Sequence, residues 1–345
     1  MALAWSGEVY RAPEPRSTLR DRPPKLALLL VFPGGASFPT NRSRHPDPLV
    51  VTRLFSFRFD VDTHRCVREG MPALSRLGRR LDAPFTFFVN MGRAVSRRSA
   101  LTRVVRGQRT PFEPVAAKHT ARVKLGAAGW LQAALLNPRV GRAAPDVLRS
   151  TRDDGHEIGL HGGRNHAVWQ VEALDWPRSR VAAEIDAVLP GLERVLGATP
   201  SGFASPGWVS PSGLPAVLAA RGFSYLADLH GQVGAAAPPE ELGGLSQVRT
   251  QLTGEPGGVA YLEHLDASGL SEDGVLRRFE RDLEAAGARV AVYDHPYWAG
   301  VRALDLIGEM VAIARARGFQ VVPLATVARA GVASTDPSVA RRGLP

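Results

Sequence analysis

The sequence predicts an α/β protein in which crossover helices join the strands of a parallel sheet, either doubly wound or closed into a barrel. Three observations predict it. Strand-like and helix-like patterns alternate from Leu54 to Val322. The strand candidates are short runs dense in Phe, Val and Leu, as expected where helices cover the sheet. Titratable residues follow several of these runs directly, and such folds place their sites just beyond strand ends.

The elements follow in order. Residues 1–50 hold 8 of the 27 prolines and no sustained period, so they are expected to be loop or disorder, or an extension ahead of a valine start codon at Val51. Their longest apolar run, 26–32, is far below the roughly 20 residues a membrane-spanning helix needs. Residues 54–59 read as the first strand and 70–81 as a helix, and Ala83-Pro84 opens a second strand over 85–89. Further strand-like runs are 157–160, 202–204, 224–226, 290–293 and 320–322, with helical patterns over 178–196, 211–221, 271–286 and 301–317. Residues 51–332 are thus expected to form one catalytic unit carrying a basic insertion at about 93–136, with 333–345 a flexible tail. An apolar fraction of 44% in 345 residues supports a large core.

Chemistry-bearing residues cluster at three strand ends. Asp60 and Asp62 alternate at the end of the first strand, so both carboxylates face one side and repel unless a cation or a shared proton lies between them; solvated acids are the plainer alternative. His161 and His166 flank a glycine-containing turn after 157–160, and histidine with carboxylate is an ordinary ligand set for a divalent metal. Two unrelated surface histidines would give the same spacing. His295 follows 290–293, where an imidazole opposite a carboxylate would supply an acid and base pair. The single cysteine, Cys66, excludes an internal disulfide framework and a Cys-rich zinc site, and fits the cytosol.

These motifs, in this order, resemble the polysaccharide deacetylase (NodB homology) family, whose members are metal-dependent amide hydrolases on a distorted (β/α) barrel. The stretch from Arg58 to Gly70 looks most like the branch that deformylates a lipid-linked formamido sugar. His156 to His161, His166-Ala167, Gly207-Trp208, Asp228 and His295 fall in the corresponding order. The resemblance covers roughly 52–330. It implies Asp60 as general base, His295 as general acid, a divalent metal, zinc first, on Asp62, His161 and His166, and Thr63, Arg68, Asn165, Trp208 and Asp228 around the substrate. Two departures stand out. The family usually spaces its histidines by four residues, which here would put Asn165 in the second position. Many members also carry an arginine in the Gly-Trp loop, where this chain has Ala204 and Ser205.

The net charge is +10, and 40 of the 43 basic residues are arginine. Residues 93–125 alone carry nine basic groups against Glu113, leaving about +2 for the rest of the chain. A basic stretch beside apolar residues such as Trp130 and Leu135 suits an interfacial helix on an anionic membrane, or equally a packed surface insertion. Nucleic acid is not expected, because aromatics are not interleaved with the arginines. The expected activity is removal of an N-formyl or N-acetyl group from an amino sugar, polyprenyl-phosphate-linked if the branch resemblance extends to substrate, in the cytoplasm and peripheral to the inner face of the membrane. The alternatives are hydrolysis of another C–N bond in a cyclic imide or ureide, and a non-catalytic carbohydrate or lipid-phosphate binding protein.

Overall fold

The computed structural model describes residues 52–96, 136–231, 240–242, 244–255 and 258–335. Residues 1–50, the bulk of the basic insertion (97–135) and the chain from 336 lie outside the described residues. The strands are β1 (Arg53–Val61), β2 (Thr86–Val89), β3 (Glu157–His161), β4 (Gly202–Ala204), β5 (Tyr225–His230), β6 (Glu240–Leu242), β7 (Leu245–Thr250), β8 (Arg289–Asp294) and β9 (Phe319–Val321). Their order in the sheet is β6-β7-β5-β4-β3-β2-β1-β8, parallel except for the β6–β7 hairpin, and β9 also pairs with β1. Beyond β7 the chain returns to β8 through a parallel bridge between Leu252 and Val292, with Tyr293 N–H donating to the Leu252 carbonyl at 3.1 Å. That bridge nearly closes β1 to β5, β7 and β8 into a seven-stranded parallel barrel, as the family resemblance implies.

Strand alternation divides the core in two. Phe55, Phe57 and Phe59 of β1 join the larger cluster beneath the helices, together with Phe85, Phe87, Leu160 and Phe203. Leu54 instead packs with Phe88, Ala204, Tyr225, Ala227, Val248 and Ala291, residues contributed by successive strands to the barrel interior. Leu324, Val327 and Ala328 of the last helix, Leu324–Thr335, complete this inner cluster at the N-terminal ends of the strands. There the Leu324 N–H donates to Thr86 Oγ1 and the Ala325 N–H to Glu157 Oε2. The helix occupies part of the range expected to be a tail.

The other helices are α1 (Met71–Leu81), α2 (Pro145–Asp153), α3 (His166–Glu172), α4 (Arg178–Asp186), α5 (Leu189–Leu196), α6 (Leu214–Ala219), α7 (Tyr261–Ala267), α8 (Glu272–Ala285), α9 (Pro296–Ala299) and α10 (Leu304–Ala316); the last helix is α11. The pattern over 178–196 is two helices rather than one, because Pro190 lacks an N–H and its ring would meet the carbonyl four residues back. β7 is absent from the sequence reading. Its Leu-Ser-Gln-Val-Arg-Thr run mixes polar with apolar residues, although all but one of the six are buried.

Candidate active site

The C-terminal ends of β1, β3 and β8 bring together five of the predicted residues. Nε2 of His161 and Nε2 of His166 each lie 3.1 Å from Oδ1 of Asp62, and Nε2 of His295 lies 3.2 Å from Oδ2. Asp60 Oδ2 is 3.9 Å from His161 Nε2, so both carboxylates face one side of the strand end. All five residues are buried. Nδ1 of His161 sits 2.9 Å from the Ala204 carbonyl, which can only accept, so the ring proton belongs on Nδ1 and the Nε2 lone pair is directed at Asp62. Asp62 Oδ1 is buried and makes no hydrogen bond. Such an oxygen between two imidazole nitrogens requires positive charge, supplied by added protons or by a cation.

Asp62, His161 and His166 offer one ligand atom each, all within 4.8 Å of one another, and this donor set fits a divalent ion. With no ion there, burial would raise Asp62, but His166, His161 and His295 hold its carboxyl well below the usual range. Burial would lower His161, and the Asp60 and Asp62 carboxylates override it and raise the imidazole. Asn90, directly after β2, supports this corner: its Nδ2 donates to the Asp62 carbonyl at 3.2 Å and its Oδ1 accepts from Gly92 N–H at 2.8 Å.

Asp60 is gripped from its own strand. Arg58, fully buried two residues earlier, donates through Nε to Oδ1 at 3.0 Å and through a terminal nitrogen to Oδ2 at 2.8 Å. The guanidinium also donates to the Ala227 carbonyl and lies 4.1 Å from the centre of the Trp208 ring. Arg58 thus ties Asp60 to the Gly-Trp loop and to β5. Trp208 takes a positive φ of 62°, and its indole N–H donates to the Gly258 carbonyl at 2.7 Å. Asp228 is buried beside the same loop, accepting from Ser205 N–H at 2.6 Å, and burial raises its carboxyl.

His295 is held by a residue that the sequence reading missed. Its Nδ1 lies 2.6 Å from Glu263 Oε1 on α7, a buried carboxylate, which orients Nε2 toward Asp62. The Tyr293 hydroxyl lies 3.0 Å from the same Nε2, and burial keeps that phenol protonated. Asp294 accepts from the N–H groups of Leu262 and His295, and burial and the Glu263 carboxylate push it up to about 8. The available signal for Glu263 was an acid among Tyr261, Leu262 and Leu265, a stretch too apolar to be surface.

The remaining predicted residues have local duties. Thr63 Oγ1 accepts from Cys66 N–H at 3.2 Å and starts the turn into the π-helix Cys66–Gly70. Asn165 is the N-cap of α3, its Oδ1 accepting from Val168 N–H and its Nδ2 donating to the Val95 carbonyl, so His166 rather than Asn165 reaches Asp62. Arg68 is exposed and donates to the Ala143 carbonyl at 3.0 Å.

Comparison with known proteins bears on the family and the fold. The polysaccharide deacetylase family profile matches residues 53–226, half of the chain. A Shewanella sediminis protein assigned as a 4-deoxy-4-formamido-L-arabinose-phosphoundecaprenol deformylase is 28% identical over 185 residues, covering 51% of this chain and 56% of that protein. The chain thus spans about half the length of this curated relative. A Mycobacterium smegmatis crystal structure assigned as a polysaccharide deacetylase superposes with a TM-score of 0.54 at 18% identity, covering 86% of this chain and 95% of that one. With the profile spanning half of the chain and the fold shared, the chain belongs to the polysaccharide deacetylase family.

Proposed function

We propose that the chain hydrolyses the amide bond of an N-acylated amino sugar, releasing formate or acetate, with a divalent ion held by Asp62, His161 and His166. The observation that carries this is the buried Asp62 oxygen facing two imidazole nitrogens at 3.1 Å, with a second carboxylate and a third imidazole beside it. When bound, such an ion polarises the amide carbonyl and lowers the pKa of water, and zinc suits the mixed N and O donors. Asp60, fixed in its plane by the Arg58 fork, keeps unshared lone pairs with which to accept the proton of the attacking water. His295, its Nδ1 bonded to Glu263, is placed to give a proton from Nε2 to the departing amine. Trp208 and Tyr293, in contact through their rings, would wall the sugar.

The non-catalytic reading rested on Asn165 and on the missing loop arginine. Asn165 caps a helix, and Asp60 has a buried guanidinium partner in Arg58 of its own strand. The finer proposal is a formamido sugar on a polyprenyl phosphate at the cytoplasmic face of a membrane. It is supported by the name of the S. sediminis relative and by the charge of residues 93–125. Among the described residues no helix is long and apolar enough to cross a membrane. The test is metal analysis with hydrolysis of paired formamido and acetamido sugars. The expected result is about one ion per chain, with metal and turnover both lost in Asp62→Asn and His161→Gln. Full metal occupancy in both variants would sink the assignment.

A further inference from the structure

Beside the histidine loop, three backbone segments are tied together and each carries arginine. Arg93 forms an antiparallel bridge with Arg139 and a parallel bridge with Asn165, and its N–H donates to the Arg164 carbonyl at 2.9 Å. Bridged residues have Cα atoms about 5 Å apart, and the guanidinium groups of Arg93, Arg142 and Arg164 all act electrostatically on Arg139, while that of Arg164 also donates to the Ala183 carbonyl at 3.0 Å. Arg142 follows on the 3₁₀ turn Gly141–Ala143. The tie leaves no spare room: a Cβ on Gly92 would stand 2.2 Å from the Gly163 carbonyl oxygen. Arg139 is half-buried, and burial together with the guanidinium groups of Arg142, Arg93 and Arg164 lowers its pKa.

Among the described residues no carboxylate forms an ion pair with any of the four arginines. Glu184, the nearest acid hydrogen-bonded to the segment, accepts the backbone N–H of Arg164 at 2.9 Å. Arginine does not relieve such crowding by losing its proton, so the cluster favours a bound anion over the mobile counterions that otherwise screen it. The patch adjoins the reacting centre, since the His166 N–H donates to the Arg93 carbonyl at 2.9 Å. Guanidinium forks match the oxygens of a phosphate group, which offers more acceptors than a carboxylate.

We propose that Arg93, Arg139, Arg142 and Arg164 form an anion site for a phosphate ester carried by the sugar substrate. That the phosphate rides on the substrate rests on the amide-hydrolase reading; that the site takes a phosphate does not. The test is calorimetric titration of the full chain with a soluble glycosyl phosphate, which requires no turnover. Replacing Arg139 and Arg142 by Gln weakens binding by about 10-fold or more, the loss expected for charge-assisted hydrogen bonds. Arg142→Gln alone, at an exposed position, weakens it measurably with the urea midpoint unchanged, and the charge-matched control Arg277→Gln with Arg281→Gln on α8 leaves binding unchanged. Inorganic phosphate competes, and phosphatidylglycerol vesicles do not displace the glycosyl phosphate. Binding unaltered by the site variants, or weakened equally by the control, overturns the proposal. So does binding to phosphatidylglycerol vesicles that depends on these arginines while glycosyl phosphate binding does not. Turnover of a neutral amino sugar without glycosyl phosphate binding defeats this site alone, whereas binding without amide hydrolysis of any substrate defeats only the enzymatic reading.

Discussion

Arg58 carries a full charge between Phe57 and Phe59 of β1, and its partner Asp60 on the same strand is buried too. Truncating one member of such a pair leaves the other charge uncompensated. Arg58→Met is therefore expected to lose about 3–5 kcal/mol of stability in urea denaturation. Arg58→Lys keeps the charge but not the two-pronged grip, so turnover falls while the metal content holds. Glu263→Gln preserves an acceptor for His295 Nδ1 but removes the charge that stabilises an imidazolium, and kcat is expected to drop about 100-fold or more with KM and bound metal nearly unchanged. Neither residue stood out in the sequence for its role. Arg58 was visible as a charge among phenylalanines, but its partner became evident only once strand alternation turned both residues into the barrel. Glu263 lies 32 positions before His295, and no local pattern links them.

Two elements hold the constellation in place. The π-helix Cys66–Gly70 leads from Asp62 into α1 and packs against α9, which starts directly after His295. A Cβ on Gly70 would stand 1.9 Å from the Pro296 carbonyl oxygen, and one on Gly300 would stand 2.3 Å from the Gly70 carbonyl oxygen. Neither backbone can yield without moving His295. Gly70→Ala is expected to cost about 3 kcal/mol, as severe overpacking does, and to lower activity as well, both measurable on one preparation. On the outer side, Asp154 just after α2 accepts from Ser75 Oγ at 2.7 Å and from Arg79 at 2.8 Å, tying α2 to α1. The Ser75 hydroxyl, then Arg79, holds the Asp154 carboxyl below its ordinary value against burial. The native state therefore binds fewer protons than the unfolded chain, so this stabilisation is present above about pH 4 and is lost as pH falls through the native value. Asp154→Asn should cost about 1 kcal/mol at pH 7, with the gap to wild type narrowing as pH falls below about 4 in urea titrations.

At the scale of the whole molecule, the described strands meet at one end in the candidate site and are plugged at the other by α11. Leu324 is fully buried at that plug, so Leu324→Ala is expected to lose about 2–4 kcal/mol in a single cooperative transition while the metal binding proposed for the opposite end is unchanged. Local chemistry was enough to establish the alternation of strand and helix, the acids and histidines at strand ends, and the charge concentrated in 93–125. Those features depend on neighbours in sequence, and periodicity reports neighbours. The tertiary structure decided the rest: that β7 and the Leu252 bridge nearly close the barrel, that His166 and not Asn165 faces Asp62, that Arg58 grips Asp60, and that Glu263 backs His295. Each of these joins residues or orientations set by register and closure, where one residue of slip turns every side chain to the opposite face.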